Sequence, residues 1–300
     1  MKVLVTGATG YLGSHLARRL LQEGYDIAAY KLPSSSFNRL GEIANSISWY
    51  NFCSDNLALP FQKHGHFDAV IHIATCYGRN NESYPDIFKS NTELPVHLLD
   101  AAIRFKTPTF INTDTALDPR LNIYALTKNH FAEWGRMVAN LNRSRYVNVQ
   151  LEHIYGAGDS TSKFTTHIVR QCLRNVPVIP LTTGEQERDF IHIYDAVEAY
   201  LALLKHQNEL PQEYLDVGLG SGCPVSIRSF VELVYKLCCS TSNLDFGALP
   251  YRRHETMNSN ADITLLRSLG WAPKFSLREG LEKMIAEERK TANSHEGIKG

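Results

Sequence analysis

A short apolar run, Val3-Leu4-Val5, breaks at Gly7 and is followed by Gly10 and Gly13, with Leu12, Leu16, Leu20 and Leu21 at helical spacing. Glycines at that spacing let a strand turn sharply into a helix. Gly7 permits the tight turn, Gly10 lets the backbone approach a ligand, and Gly13 allows close helix packing. A strand feeding directly into a helix is the opening of a βαβ unit, which commits the next strand to parallel pairing. The turn also leaves N–H groups at the positive end of a helix, a place suited to a pyrophosphate.

The alternation continues. Residues 27–30, 47–52, 68–74, 109–112 and 146–153 read as strands, and residues 124–140 as a helix. Residues 85–105 read as another helix, interrupted by Pro95. The strand at 68–74 is almost wholly apolar, as expected where both sheet faces are covered. Beyond Gly156 the pattern changes to helices at 163–174, 195–205, 226–238 and 277–289, with a short strand at 177–181. Gly24 stands where the first helix should stop, and the polar tail after Arg289 is expected to fray. The expected fold is α/β, a Rossmann-type doubly wound parallel sheet over residues 1–155. A smaller lobe over residues 156–300 should bind substrate, with some chain returning to the sheet and a cleft between the two lobes.

Charge narrows the partners. Lysine plus arginine and aspartate plus glutamate number 31 each, so no global field favours nucleic acid or a membrane surface. A phosphorylated ligand must be held locally. No run approaches the ~18 apolar residues of a membrane span, and Gly7 comes too early for a signal-peptide apolar region. The cysteines at 53, 76, 172, 223, 238 and 239 form no C-x-x-C pair and show no metal-ligand spacing with histidine. They read as thiols of a reducing compartment, with the cytoplasm as expected address and no metal.

The turn residues Gly7, Thr9, Gly10, Tyr11, Leu12 and Gly13 are expected to hold a dinucleotide, with Ala74 at the end of the fourth strand also in contact. An NAD site usually places a carboxylate after the second strand, to bond the ribose 2′-hydroxyl. Here Lys31 stands in that place, followed by Ser34, Ser35, Ser36 and Arg39. These groups suit a 2′-phosphate, and the expected cofactor is NADP(H). Tyr124 and Lys128 are four residues apart, hence on one helix face. A lysine cation beside a phenol is expected to lower its pKa and make Tyr124 a proton donor or acceptor.

On these motifs the chain resembles the extended short-chain dehydrogenases that act on nucleotide-activated sugars, and the resemblance runs over nearly all its length. It implies that a threonine ending the fifth strand bonds the substrate oxygen; Thr113 matches best and Thr115 is the second candidate. Asn112-Thr113-Asp114 resembles the Thr-Asp-Glu segment of the 4,6-dehydratases, with Thr115 where those enzymes carry glutamate. A threonine cannot readily take a proton from carbon, which favours simple hydride transfer to a ketone. His153 stands where the family has a substrate-contacting asparagine. Arg188, in the block Gly184-Glu-Gln-Glu-Arg-Asp-Phe190, and Arg252 match the family's diphosphate-binding arginines.

Several phrases narrow the resemblance to the 4-ketoreductases of CDP-linked 3,6-dideoxyhexuloses, which use NADPH and serve O-antigen synthesis. Among them are Ala74-Thr-Cys-Tyr-Gly-Arg79, Leu151-Glu-His-Ile-Tyr-Gly156 and Asn260-Ala-Asp262. The expected substrate is therefore a CDP-linked nucleotide diphosphate sugar. The resemblance also implies a homodimer through the helices at 85–105 and 124–140. An epimerase or dehydratase retaining its NAD is the alternative enzyme. A sensor that binds NADP(H) without catalysis is the alternative outside enzymes, although such proteins commonly lose one member of the tyrosine–lysine pair.

Overall fold

The structure is a computed structural model that describes residues 1–52, 57–142, 144–211 and 213–296; Cys53 lies outside the described residues. The chain begins with β1 (Lys2–Thr6), α1 (Tyr11–Gln22), β2 (Asp26–Lys31), β3 (Ser48–Asn51), α2 (Leu59–His64) and β4 (Ala69–His72). It continues through α3 (Tyr84–Phe88), α4 (Leu94–Arg104), β5 (Thr109–Thr115), α5 (Ile123–Asn142) and β6 (Arg145–Leu151). Next come β7 (His153–Tyr155), α6 (Phe164–Leu173), β8 (Val178–Leu181), β9 (Glu187–Arg188), β10 (Phe190–His192) and α7 (Ile193–Lys205). The last elements are β11 (Tyr214–Leu219), β12 (Val225–Ser226), α8 (Ile227–Cys238), β13 (Asn243–Phe246), α9 (Thr264–Ser268) and α10 (Leu277–Glu296).

Two compact units result. The first comprises Met1–Leu151, Val197–Gly218 and Thr264–Trp271, and the second Glu152–Ala196, Leu219–Ile263 and Ala272–Gly300. In the first unit seven strands lie in the order β11-β6-β5-β4-β1-β2-β3. The pairs from β6 through β3 are all parallel. Sequence order reverses beside β1, with β2 on one side and β4 on the other. That is the switch point at which such sheets bind ligands, outside the carboxyl ends of the strands. Val3, Leu4 and Val5 are wholly buried, because helices cover both sheet faces. Leu4, Val70, Leu98, Phe110 and Phe131 belong to one apolar core, and burying such a side chain contributes roughly 1.5–3 kcal/mol.

The second unit holds three small two-stranded pairings, β7 with β10, β9 with β12 and β8 with β13. Helix α8 packs on α6 and α10. Ile168, Phe230, Val234, Leu281 and Met284 form its buried centre.

Four expectations need correction. The helix at 85–105 is broken before Pro95, by a π-helical stretch at Lys89–Glu93. Pro95 has no N–H to donate to the carbonyl four residues back, so the ladder widens ahead of it. The strand at 109–112 runs on to Thr115 and carries both candidate threonines. The strand at 146–153 is two strands, because after Leu151 the chain changes neighbours. The Glu152 N–H donates to the Leu219 carbonyl and the His153 N–H to that of Asp189. The tail after Arg289 remains helical to Glu296. No glycine or proline interrupts those residues, and each added residue continues the ladder.

Candidate active site

At the turn after β1, Gly7 has φ +74°, and a Cβ on it would lie 2.7 Å from the Ala74 nitrogen. A Cβ on Gly13 would lie 2.0 Å from the Gly7 carbonyl oxygen. The cradle therefore exists only because both side chains are hydrogen. Gly10 caps α1 without any side-chain hydrogen bond, and the first turn holds no acidic residue. Leu12 is buried, Gly10 is exposed and Thr9 is half-buried. These features suit a dinucleotide pyrophosphate.

A buried threonine pins the far wall of the cradle. Thr6 Oγ1 accepts hydrogen bonds from the Ile73 and Ala74 N–H groups at 3.0 and 3.1 Å. It also lies 2.8 Å from His72 Nδ1. With two N–H groups already donating to it, its own proton goes to Nδ1. Burial and the Lys128 charge hold the His72 pKa well below its usual value, so the ring is neutral. The sequence reading missed both residues; a polar pair inside two apolar strands was the available signal.

The loop after β2 is cationic. Lys31 lies over the Phe37 ring at 5.6 Å, and the Arg39 guanidinium over Tyr11, within the glycine turn, also at 5.6 Å. No acidic residue occurs between Lys31 and Gly41.

On α5, Lys128 is buried and its Nζ has no hydrogen-bond partner among the described residues. An orphaned ammonium of this kind fits the ribose hydroxyls of a bound dinucleotide. Desolvation brings its pKa down to about 8, against the attraction of Asp114. The Tyr124 pKa is pushed up, chiefly by burial, with the Thr115 hydroxyl bond and Arg79 opposing that rise. The expected lowering by Lys128 is not seen; Lys128 is itself the group that is depressed.

The two threonines separate. Thr113 is buried with its hydroxyl 2.7 Å from the Tyr200 hydroxyl, whereas the Thr115 hydroxyl accepts from the Leu117 N–H at 3.3 Å and acts on Tyr124 to lower its pKa. Asp114, between them, accepts from the Thr115 N–H at 2.8 Å and from Asn148 Nδ2 at 3.0 Å. The Tyr77 ring lies 4.8 Å from that of Tyr124, with the Arg79 guanidinium 5.1 Å over Tyr77.

Asn91, in the π-helical stretch, ties this loop to α5. Its Oδ1 accepts from the Cys76 N–H, and its Nδ2 donates to the Cys76 carbonyl and to the Thr127 hydroxyl, beside Lys128. It is wholly buried and was not singled out in the sequence.

The second unit carries the other expected residues. Arg188 is buried, donating to the Glu187 and Thr256 carbonyls and paired with Glu255. Arg252 is exposed, and its charge bears on Arg188. His153 is half-buried, 3.6 Å from Glu152 Oε2. Among the described residues no group of three histidine, cysteine or acidic side chains could hold a metal.

The NAD dependent epimerase/dehydratase family matches residues 3–218. CDP-abequose synthase of Salmonella typhimurium is 34% identical over 295 residues, covering 94% of this chain and 97% of that protein. The CDP-abequose synthase of Salmonella muenchen is 32% identical over 292 residues, covering 95% and 97%. A solved UDP-glucose 4-epimerase from Thermotoga maritima shares the fold. It is 22% identical with a TM-score of 0.84, over 97% of this chain and 100% of that one.

Proposed function

The chain belongs to the NAD dependent epimerase/dehydratase family, and from that premise we propose that it is an NADPH-dependent 4-ketoreductase of a CDP-linked 3,6-dideoxyhexulose. The Thr115 hydroxyl, close enough to act on the Tyr124 phenol and lower its pKa, carries the reading, since two neighbouring hydroxyls can meet one carbonyl oxygen. Likeness to two CDP-abequose synthases over almost the whole chain supports the substrate class and a role in O-antigen sugar synthesis.

Bound NADPH supplies the hydride. Thr115 orients the carbonyl oxygen, and Tyr124 gives it a proton as negative charge develops there. A raised pKa suits that role, because the phenol stays loaded at neutral pH and an alkoxide is a far stronger base than a phenolate. Lys128 holds the cofactor ribose. Each Asp114 oxygen accepts one hydrogen bond, from the Thr115 N–H and from Asn148 Nδ2. Arg188 and Arg252 bind the diphosphate, with a planar anion taking the place of Glu255 on Arg188. His153 contacts the same substrate.

Lys31 and Arg39 support NADPH over NADH. The expected assay result is NADPH oxidation with CDP-linked 4-keto-3,6-dideoxyhexulose, one product per cofactor and one C4 configuration by NMR. Weaker use of NADH is expected. No oxidation with any 4-keto nucleotide sugar overturns the reading.

The two threonines give a sharper test. Thr115→Ala lowers kcat roughly 10²-fold by removing one oxyanion donor. Thr113→Ala costs about 1 kcal/mol of stability through its lost Tyr200 bond and changes kcat little. Steady-state kinetics and thermal melts check both, and the reverse order of kcat effects returns the role to Thr113.

We also propose a homodimer. Trp134, Met137 and Leu141 are exposed on α5, and Tyr84 and Phe88 on α3, an apolar surface of the kind copies cover. Light scattering should return twice the chain mass. The cytoplasm is the proposed compartment, where reduced thiols and NADPH are available. No helix among the described residues is long and apolar enough to cross a membrane.

A further inference from the structure

Glu152 is buried, yet only one of its carboxylate oxygens is satisfied. Ser259 Oγ donates to Oε1 at 2.7 Å, while Oε2 has no hydrogen-bond partner among the described residues. The nearest complement is His153 Nδ1, which is also buried, also without a partner, and 3.6 Å away. We propose that Glu152 is a positioning residue that locks His153 as its Nδ1–H tautomer, so that Nε2 accepts a hydrogen bond from a hydroxyl of the nucleotide sugar. The inference rests on the nucleotide-sugar reading of the substrate, but not on the direction of the chemistry.

The reason is the cost of unpaired groups away from water. With the proton on Nε2, the Nδ1 lone pair would point at a carboxylate oxygen, two acceptors facing each other in a buried site. With the proton on Nδ1, the same approach becomes a charge-assisted donor and acceptor. A carboxylate behind the ring that fixes a histidine tautomer is the arrangement that metal and catalytic sites also use. The His153 backbone is paired with Phe190 across β7 and β10, and the Phe190 ring meets its ring edge-on at 5.7 Å.

Arg188 draws on the Glu152 field as well as on Glu255, and Arg252 adds a second cation. Asp189, just before β10, is committed to the Ser221, Gly222 and Ala261 N–H groups and the Ser221 hydroxyl. Glu152 Oε2 is thus the carboxylate oxygen left for the imidazole. A neutral ring with Nε2 outward accepts and cannot donate. It selects a ligand hydroxyl and rejects a phosphate oxygen, which leaves the diphosphate to the arginines.

Nitrogen NMR of the substrate-free protein at neutral pH reads the tautomer directly. The expected spectrum shows His153 protonated on Nδ1 and unprotonated on Nε2. Glu152→Met should lose that preference, and should raise KM about tenfold with kcat within about threefold, the pattern of lost ground-state binding. A wild-type spectrum with the proton on Nε2, or an imidazolium, overturns the proposal even if the variant does not fold. For the ligand, His153→Phe should weaken CDP-glucose binding about tenfold and leave CDP binding unchanged. Equal losses for both show that His153 reads the diphosphate and overturn the hydroxyl assignment. Binding and spectra of this kind stand apart from turnover, so a failed reductase assay would not be mistaken for a failure here.

Discussion

Tyr124→Phe lowers kcat by about 10²- to 10⁴-fold, the usual worth of a positioned proton donor, and leaves NADPH affinity within about twofold. The change removes one oxygen. The ring keeps its place in α5 and its contact with Tyr77, so the helix and the buried Lys128 beneath it are undisturbed. What disappears is the proton that meets the developing alkoxide. Pre-steady-state measurement of hydride transfer, beside a fluorescence titration with NADPH, separates the two effects. A variant that keeps more than a tenth of the wild-type rate would remove Tyr124 from the proton-donating role. A variant that loses cofactor binding would show that the phenol oxygen supports the fold of the site.

Gly13→Ala weakens NADPH binding by roughly tenfold to a hundredfold, or about 1.4 to 2.8 kcal/mol, and costs about 1–3 kcal/mol of stability. The added methyl would sit 2.0 Å from the Gly7 carbonyl oxygen and 2.8 Å from the Ala8 Cα. Both are backbone atoms, so no side chain can swing aside. Gly7 cannot retreat, because its own φ is +74° and the Ala74 backbone closes its far side. Helix α1 must therefore move away from the turn, carrying with it the N–H groups that face the pyrophosphate. Titration with NADPH and thermal unfolding measure the two losses. Unchanged affinity would mean that this turn does not hold the cofactor.

Much of the sheet was legible because burial on both faces writes long apolar runs. Residues 3–5 and 68–74 carried that signal, and the leucines of α1 carried the helical one. Element ends were less legible. The apolar–polar alternation from Val147 to Glu152 slips phase only at His153-Ile154, too short a trace to mark the change of neighbours there. Nor did local pattern show Thr6, His72 and Asn91 as one framework. They are 66 and 85 positions distant from Thr6 in sequence and are joined to the site only by folding.

The glycine turn and the Tyr124–Lys128 spacing are local properties, set by φ freedom, the missing Cβ and the helical repeat, and the sequence alone determined both. From them follow a dinucleotide cradle and a phenol and ammonium on one helix face. The tertiary structure separates the two candidate hydroxyls, because Thr113 and Thr115 have the same chemistry and differ in what packs against them. The first bonds the Tyr200 hydroxyl, and the second acts on the Tyr124 phenol. It also decided the charge balance. Desolvation depends on what surrounds a group in space, so the depressed Lys128 and the raised Tyr124 could not be read from a spacing of four.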